Sequence, residues 1–390
     1  MADRPDSISL PITLRHEHRL IFTRNVFAPE NEVLADVLTP REPGESVRAM
    51  VFWDAGLETA FPGMEARIGA WFVARENRVR LAAPPIALPG GESVKNDFHQ
   101  LEQVWSAINS ACMCRHSYVI AIGGGAVLDM VGFAAATAHR GIPLVSLPTT
   151  SLSQGDGGVG VKNGVNYFGK KNWLGSFGVP HAVVNDVTFL HGLPLRDRRA
   201  GLIEAVKVAL IRDAQFFEFI AARVDALARF ECGPFEAVIR ESARQHIEHI
   251  ATAGDPFERG SARPLDFGHW AAHKLEQMSA FQFSHGEAVA IGMALDLIYA
   301  RRSGLLPEPK AERILGILQR LGFTLFAPVL EERGADGRRI VVSGLDEFRE
   351  HMGGRLTIPM VRAPGERVEV HAMDAAIVEA ALGELKERYG

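Results

Sequence analysis

A chain of 390 residues has room for two domains, and an apolar share of 47% is that of an ordinary globular core. A net charge of −5 without a basic run excludes the electrostatic footprint of a nucleic-acid binder. No apolar stretch is long and clean enough to span a bilayer, and Met1-Ala-Asp-Arg-Pro-Asp6 lacks the apolar core of a secretion signal, so no membrane partner and a cytoplasmic location are expected.

In chain order, Arg48–Asp54 reads as a strand ending in an acid and Glu65–Phe72 as a helix. Tyr118–Ile122 is a short buried strand, followed by Gly123-Gly124-Gly125 and an apolar helix through Ala138. Pro143–Leu147 and Ala182–Asp186 are further strands. Strands alternating with helices predict a parallel α/β sheet. After Leu193-Pro194 helical periodicity dominates to about Leu321. The expected division is an α/β domain over 1–192 and a helical domain over 193–390. Residues 331–368, rich in charge and Gly, are expected to hold a small irregular or β element. No internal repeat or low-complexity segment interrupts this order. Cys112, Cys114 and Cys232 lack framework spacing, so free thiols in a reducing compartment, buried as small hydrophobes, are expected.

A strand, three glycines and a helix can bind pyrophosphate, because glycine lets backbone amides approach the phosphates. The Gly-x-Gly-x-x-Gly pattern is absent, and three glycines alone more often make a tight turn. Asp54 at a strand end suits ribose hydroxyls, although a helix cap is the commoner use of such an acid. Asp129 sits in an otherwise apolar helix and needs a partner, either the nicotinamide end of a cofactor or a buried Arg. Pro148-Thr149-Thr150 through Asp156, Lys162 and Asn163, then Lys170-Lys171-Asn172, place hydroxyls, amines and an acid after a strand. They suit a phosphate or carboxylate ligand, with Lys170 left to solvent.

Glu204 and Lys207 stand i,i+3 in an apolar helix and face one way, so a buried pair is expected. His269 and His273 are four apart, and His285 precedes an apolar helical run. Glu204 with His269 and His285 would offer a carboxylate and two imidazoles, leaving positions open on Zn²⁺. Each His alone would more often be a core or surface residue, and His246 and His249 read as surface.

Pro89-Gly-Gly-Glu92-Ser-Val-Lys95, Gly123-Gly-Gly-Ala-Val-Leu-Asp129, Arg140-Gly141, Pro148-Thr-Thr150, Asp156, Gly169-Lys-Lys-Asn172, Glu204-Ala-Val-Lys207 and the His269, His273, His285 set occur in one order. In that order and spacing the chain resembles the sugar-phosphate cyclase family, of the 3-dehydroquinate synthase type. The resemblance implies a Rossmann-like NAD-binding α/β domain followed by an all-α metal-binding domain. It implies Glu204, His269 and His285 as ligands of Zn²⁺ or Co²⁺. Asp54, Glu92, Lys95, Gly124, Gly125 and Asp129 would contact NAD, with Thr149 and Thr150 beside them. Asp156, Lys162, Lys171, Asn172, Lys207, Asp266 and His273 would surround a sugar phosphate. Arg140 would reach the substrate phosphate of a partner subunit, so a homodimer is implied.

Family chemistry oxidises a ring hydroxyl with NAD⁺ beside a Lewis-acid metal, eliminates phosphate, returns the hydride and closes a carbocycle by intramolecular aldol addition. Lys207 and Asp156 would position the oxidised hydroxyl and handle its proton, while Lys162, Lys171 and Asn172 would hold phosphate. The chain also departs from 3-dehydroquinate synthases. Their Asn-Phe-Gly-His carries Asp266 here, an Arg four residues earlier is Ala262 with Arg263 displaced before Pro264, and a Lys ten residues before Glu258 is Glu248. A Glu beside a substrate carboxylate would repel it. Relatives that cyclise sedoheptulose 7-phosphate share Asp-Phe-Gly-His, and Phe348–Gly354 looks like theirs, yet they usually lack the second histidine kept here as His273. The expectation is a 3-dehydroquinate-synthase-like cyclase of a seven-carbon sugar phosphate, with sedoheptulose 7-phosphate as the alternative substrate. A metal-dependent polyol dehydrogenase is the distant alternative. Those enzymes usually show Gly-Thr-Gly-Ser where this chain has Ser151-Leu-Ser-Gln-Gly-Asp156.

Overall fold

Short runs of Val, Ile and Leu build a parallel sheet. A computed structural model describes every residue except 1–7, 43, 169, 258–264, 281 and 352. Glu258, Ala262, Arg263 and Pro264 thus lie outside the described residues, as does Gly169. The strands are β1 (Leu20–Thr23), β2 (Val47–Asp54), β3 (Val79–Leu81), β4 (Ile86–Leu88), β5 (Tyr118–Gly123), β6 (Leu144–Pro148), β7 (Lys162–Tyr167), β8 (Lys170–Phe177) and β9 (Ala182–Asp186). Sheet order is β1-β9-β6-β5-β2-β3, with β4 pairing β2 beyond β3. All its pairings are parallel. Every residue of β5 and β9 is buried, as a sheet covered on both faces requires. The Met64–Val73 helix packs Ile68, Trp71 and Phe72 on one face. The Phe98–Ser110 and Gly125–Thr137 helices pack Leu101, Val104, Val127 and Val131 on the other.

The chain leaves β2 for β3 and β4 on one side, then returns to β5 on the other. That reversal opens a crevice at the carboxyl ends of β2 and β5, the place where such sheets bind ligands. Strands β7 and β8 form a separate antiparallel hairpin.

Past Leu195 the chain is helical. The Leu195–Arg212 helix is buried continuously from Ala200 to Ile211, so it runs through the core rather than over it. The Cys232–Thr252, His269–Met278, His285–Arg302, Glu308–Arg320 and Ala375–Tyr389 helices surround it. The all-α expectation needs one correction. β10 (Ile358–Ala363) and β11 (Glu366–Val370) form an antiparallel hairpin in this half, and Ile358, Met360 and Val361 join the core. The cysteines need another, since all three are exposed. Cys112 lies past a helix end with φ 48° and Cys232 opens a helix, so neither sits on a buried face.

Two glycines let helices touch ahead of His269. Gly268 has φ +78°, and a Cβ there would stand 2.6 Å from Met293 N; a Cβ on Gly292 would collide with Gly268 O. Beneath this contact Asp296 is fully buried, accepting from Gly268 N at 3.0 Å and Trp270 Nε1 at 2.8 Å. Burial pushes its carboxyl up to about 7, against the lowering effect of those two donors. The folded state therefore holds this proton more tightly than the unfolded chain, whose Asp titrates near ~3.9. The stability due to Asp296 is expected to be full below about pH 4 and to fall as pH rises toward 7. In Asp296→Asn an amide donor must face a donor, costing about 1–3 kcal/mol. Denaturant titrations of both proteins across this range should show the flatter slope in the variant; identical slopes would remove the assignment.

Candidate active site

The cofactor end is built by close approach. Asp54 ends β2, and its Oδ1 accepts from Gly56 N at 2.9 Å. Gly90 approaches so closely that any Cβ would collide with this carboxylate. Burial raises the Asp54 carboxyl, opposed by the amides of Gly56 and Gly124. The Gly125–Thr137 helix starts at Gly124 with no side-chain cap, and nothing lies within 4 Å of where a Gly125 Cβ would be. No side chain crowds Gly125 at this helix start, the positive end of the helix dipole, which suits a pyrophosphate. Thr149 N donates to Gly123 O at 3.0 Å, placing the β6 end beside the loop. Thr150 has a structural task as well, since it caps the Ser151–Gly155 helix.

Asp129 meets a lysine in place of the Arg. Its Oδ2 is 2.7 Å from Lys95 Nζ, and Lys95, only 3% exposed, also bonds Asn172 and lies 3.8 Å from Glu92. Asn172 adopts φ 52° and its N–H donates to Asn166 Oδ1 at 2.8 Å. Five residues of the expected cofactor and phosphate sets, Glu92, Lys95, Asp129, Lys171 and Asn172, thus gather at the β7–β8 hairpin. Lys171 reaches across to the helical half, 3.1 Å from Glu276 Oε1. Lys162 and Lys170 are exposed.

The helical half supplies the imidazoles. Ligating atoms of Glu204, His269 and His285 lie within 4.8 Å of one another, and so do those of His273, Glu276 and His285. Donor atoms on a tetrahedral zinc stand ~3.3 Å apart, so the first trio is almost at ligand spacing. Its His285 Nε2 is 3.7 Å from Glu204 Oε1. His269 Nδ1 lies 3.1 Å from Phe267 O, which fixes that nitrogen as the donor and leaves Nε2 free for a cation. Burial, then the Lys207 charge, hold His269 well below the usual imidazole range, so it is neutral and a ready ligand. Glu204 is fully buried, and burial raises its carboxyl to about 7 despite Lys207. A buried carboxylate beside the neutral His269 imidazole and the His285 ring is a donor set that fits Zn²⁺. In each trio an ammonium already sits on the carboxylate, Lys207 on Glu204 in the first and Lys171 on Glu276 in the second.

Lys207 sits between two acids. It pairs with Glu204 and lies 3.4 Å from Asp156 Oδ2, all three nearly or wholly enclosed. Burial would lower the Lys207 ammonium, but Glu204 and Asp156 raise it above the ordinary lysine range. It is therefore a charged donor and not a neutral base. Asp156 is held well below the usual carboxylate range by Lys207 and then His246, which together outweigh its burial. Asp266 lies ahead of His269, where its charge also reaches Lys207.

Three findings depart from the sequence reading. His246 is not a surface residue, for its Nδ1 is 3.1 Å from Asp156 Oδ1. Ile239, Ser242 and Ala243, one and two turns earlier, form the buried stripe that would have placed it. Glu248 does not enter the site and pairs with Arg244 in an exposed i,i+4 bridge. Glu276 went unread although it is seven residues past His269 and shares its helix face. Burial pushes its carboxyl up, but His285, Lys171 and His273 together hold it at about 2.

The family model described as 3-dehydroquinate synthase N-terminal matches residues 85–200, and the C-terminal one matches residues 201–334. The chain belongs to the 3-dehydroquinate synthase family. It is 36% identical over 309 residues to 3-dehydroquinate synthase of Halorhodospira halophila, covering 77% of this chain and 85% of that one. It is 34% identical over 325 residues to 2-epi-5-epi-valiolone synthase of Streptomyces glaucescens, covering 80% and 77%. Among solved structures, 2-epi-5-epi-valiolone synthase from Streptomyces hygroscopicus subsp. jinggangensis, with NAD⁺ and Zn²⁺ bound, superposes with a TM-score of 0.86 at 28% identity over 98% of this chain and 100% of that one. Members of the family with two different activities thus match this chain almost equally well.

Proposed function

We propose that this protein is a metal- and NAD-dependent sugar-phosphate cyclase acting on a seven-carbon sugar phosphate. The observation that carries the reading is the buried Glu204–Lys207–Asp156 chain ending beside His269 and His285. Glu204, His269 and His285 would hold Zn²⁺ or Co²⁺, with NAD over Gly124 and Gly125 and its ribose near Asp54. When bound, the two supply a Lewis acid for adjacent substrate oxygens and a hydride acceptor that is regenerated within the cycle.

The chain's own residues do the rest. The Lys207 ammonium donates to the oxygen whose hydroxyl is oxidised and stabilises negative charge there. Asp156 keeps Lys207 oriented, with His246 behind it. His273 and Lys171, with Lys162 and Asn172 on the hairpin, face the leaving phosphate. Arg140 reaches the phosphate of a second subunit in a cytoplasmic homodimer. His139 and Arg140 have φ 51° and 66° in succession, and the exposed Arg140 guanidinium has no partner among the described residues. Strain of that kind persists where a residue is presented for use.

A specific observation favours a substrate without a carboxylate. Asp156, Glu204, Asp266 and Glu276 surround the site, against the ammonium groups of Lys207 and Lys171. An added substrate carboxylate near Asp266 would be repelled. Sedoheptulose 7-phosphate is therefore favoured over 3-deoxy-arabino-heptulosonate 7-phosphate. The test is phosphate release by purified protein with NAD⁺ and Zn²⁺ or Co²⁺, each sugar supplied separately. Release from sedoheptulose 7-phosphate without net NADH is expected. Release from the heptulosonate alone would reverse the substrate choice. Net NADH from a polyol, with no phosphate released from either sugar, would make the protein a dehydrogenase.

A further inference from the structure

We infer that Glu276 is a positioning residue that orients His285 as a metal ligand and ties that orientation to Lys171. The inference rests on the metal reading above. Glu276 is 4% exposed, on the face of the His269–Met278 helix that carries both histidines. Its Oε1 accepts from Lys171 Nζ at 3.1 Å and lies 3.4 Å from His285 Nδ1, so one oxygen has a nitrogen on each side. The opposite ring nitrogen of His285, Nε2, faces Glu204.

An imidazole gives a metal one lone pair and has one N–H left to donate. What accepts that N–H fixes the tautomer and aims the ring. For His269 the acceptor is the Phe267 carbonyl. For His285 the Glu276 carboxylate stands 3.4 Å away, a charged acceptor that makes the ring a stronger donor to the cation once the two align. The pull of Lys171 keeps Glu276 from turning inward as a ligand itself. Lys171 comes from the β7–β8 hairpin and His285 from the helical half, so Glu276 links the two halves of the site through a single atom.

The test measures Zn²⁺ affinity by competition with a chromogenic chelator, and the Co²⁺ absorption bands, in wild type and Glu276→Gln. The amide keeps the shape but weakens the acceptor. A loss of about 10- to 100-fold in Zn²⁺ affinity is expected, with altered Co²⁺ bands, in variant protein whose circular dichroism shows it folded. Glu276→Asp, shortened by one methylene, should lose affinity as well and serves if the Gln variant fails to fold. Wild-type affinity with unaltered Co²⁺ bands in either folded variant would overturn the role of Glu276. A wild-type protein that binds neither ion would instead overturn the metal reading on which it stands.

Discussion

Lys207→Met is expected to abolish turnover while leaving the metal in place. Met matches the length of the lysine stem but removes the ammonium, so the buried Glu204 loses its cation while Asp156 keeps His246. Breaking a buried pair in this way costs about 3–5 kcal/mol of stability. The lost donor to the reacting oxygen should lower kcat by about 100- to 1000-fold. Zn²⁺ affinity should hold or rise, because Glu204 no longer shares its charge with a competing cation, and added Zn²⁺ should recover part of the lost stability. Calorimetry with and without Zn²⁺, beside steady-state kinetics, reads all three quantities. The same variant examines the dimer. Mixed with Arg140→Ala and allowed to exchange subunits, it should restore roughly a quarter of wild-type activity, since half of the dimers then carry one intact site. No recovery after verified exchange would place Arg140 outside its partner's site.

Glu204→Gln should act in the opposite sense, losing the metal and keeping the protein. Gln fills the same space without charge, and Lys207 retains Asp156. With one ligand neutralised, Zn²⁺ affinity should fall by more than about 100-fold, and activity with it. The pH dependence carries a sign. Burial raises Glu204 to about 7, whereas an unfolded Glu titrates near ~4.3. Metal-free wild type should therefore lose stability as pH rises from about 4 to 7, and metal-free Glu204→Gln should lose less over that range. Zn²⁺ reverses the trend in wild type, because a bound cation favours the carboxylate. A variant that kept wild-type Zn²⁺ affinity would remove Glu204 from the ligand set.

Much of this was legible in the sequence because burial leaves a pattern. β2, β5, β6 and β9 read as strands from their aliphatic runs, and the glycine loop read as a turn between β5 and its helix. Strands β1, β3 and β4, three or four residues each, are too short for a period to show. Glu204 and Lys207 were readable as a buried pair because their neighbours are apolar on every side. What the sequence hid are contacts made between distant segments. Nothing local says that Lys95 meets Asp129 across 34 residues, or that Lys171 meets Glu276 across 105. Nor does the sequence single out Arg244, one turn earlier on the same helix, as the partner of Glu248.

The contact between Gly268 and the backbone at Gly292 and Met293 bears on how such a site changes over generations. Where two main chains touch, no side-chain exchange can alter their spacing, and any substitution at either glycine is blocked. His269 leaves that junction directly, so its geometry is inherited almost unaltered. Asp266 lies just upstream, outside any helix, and its carbonyl accepts from His269 N at 3.1 Å. The backbone thus anchors His269 on one side of a single glycine and Asp266 on the other.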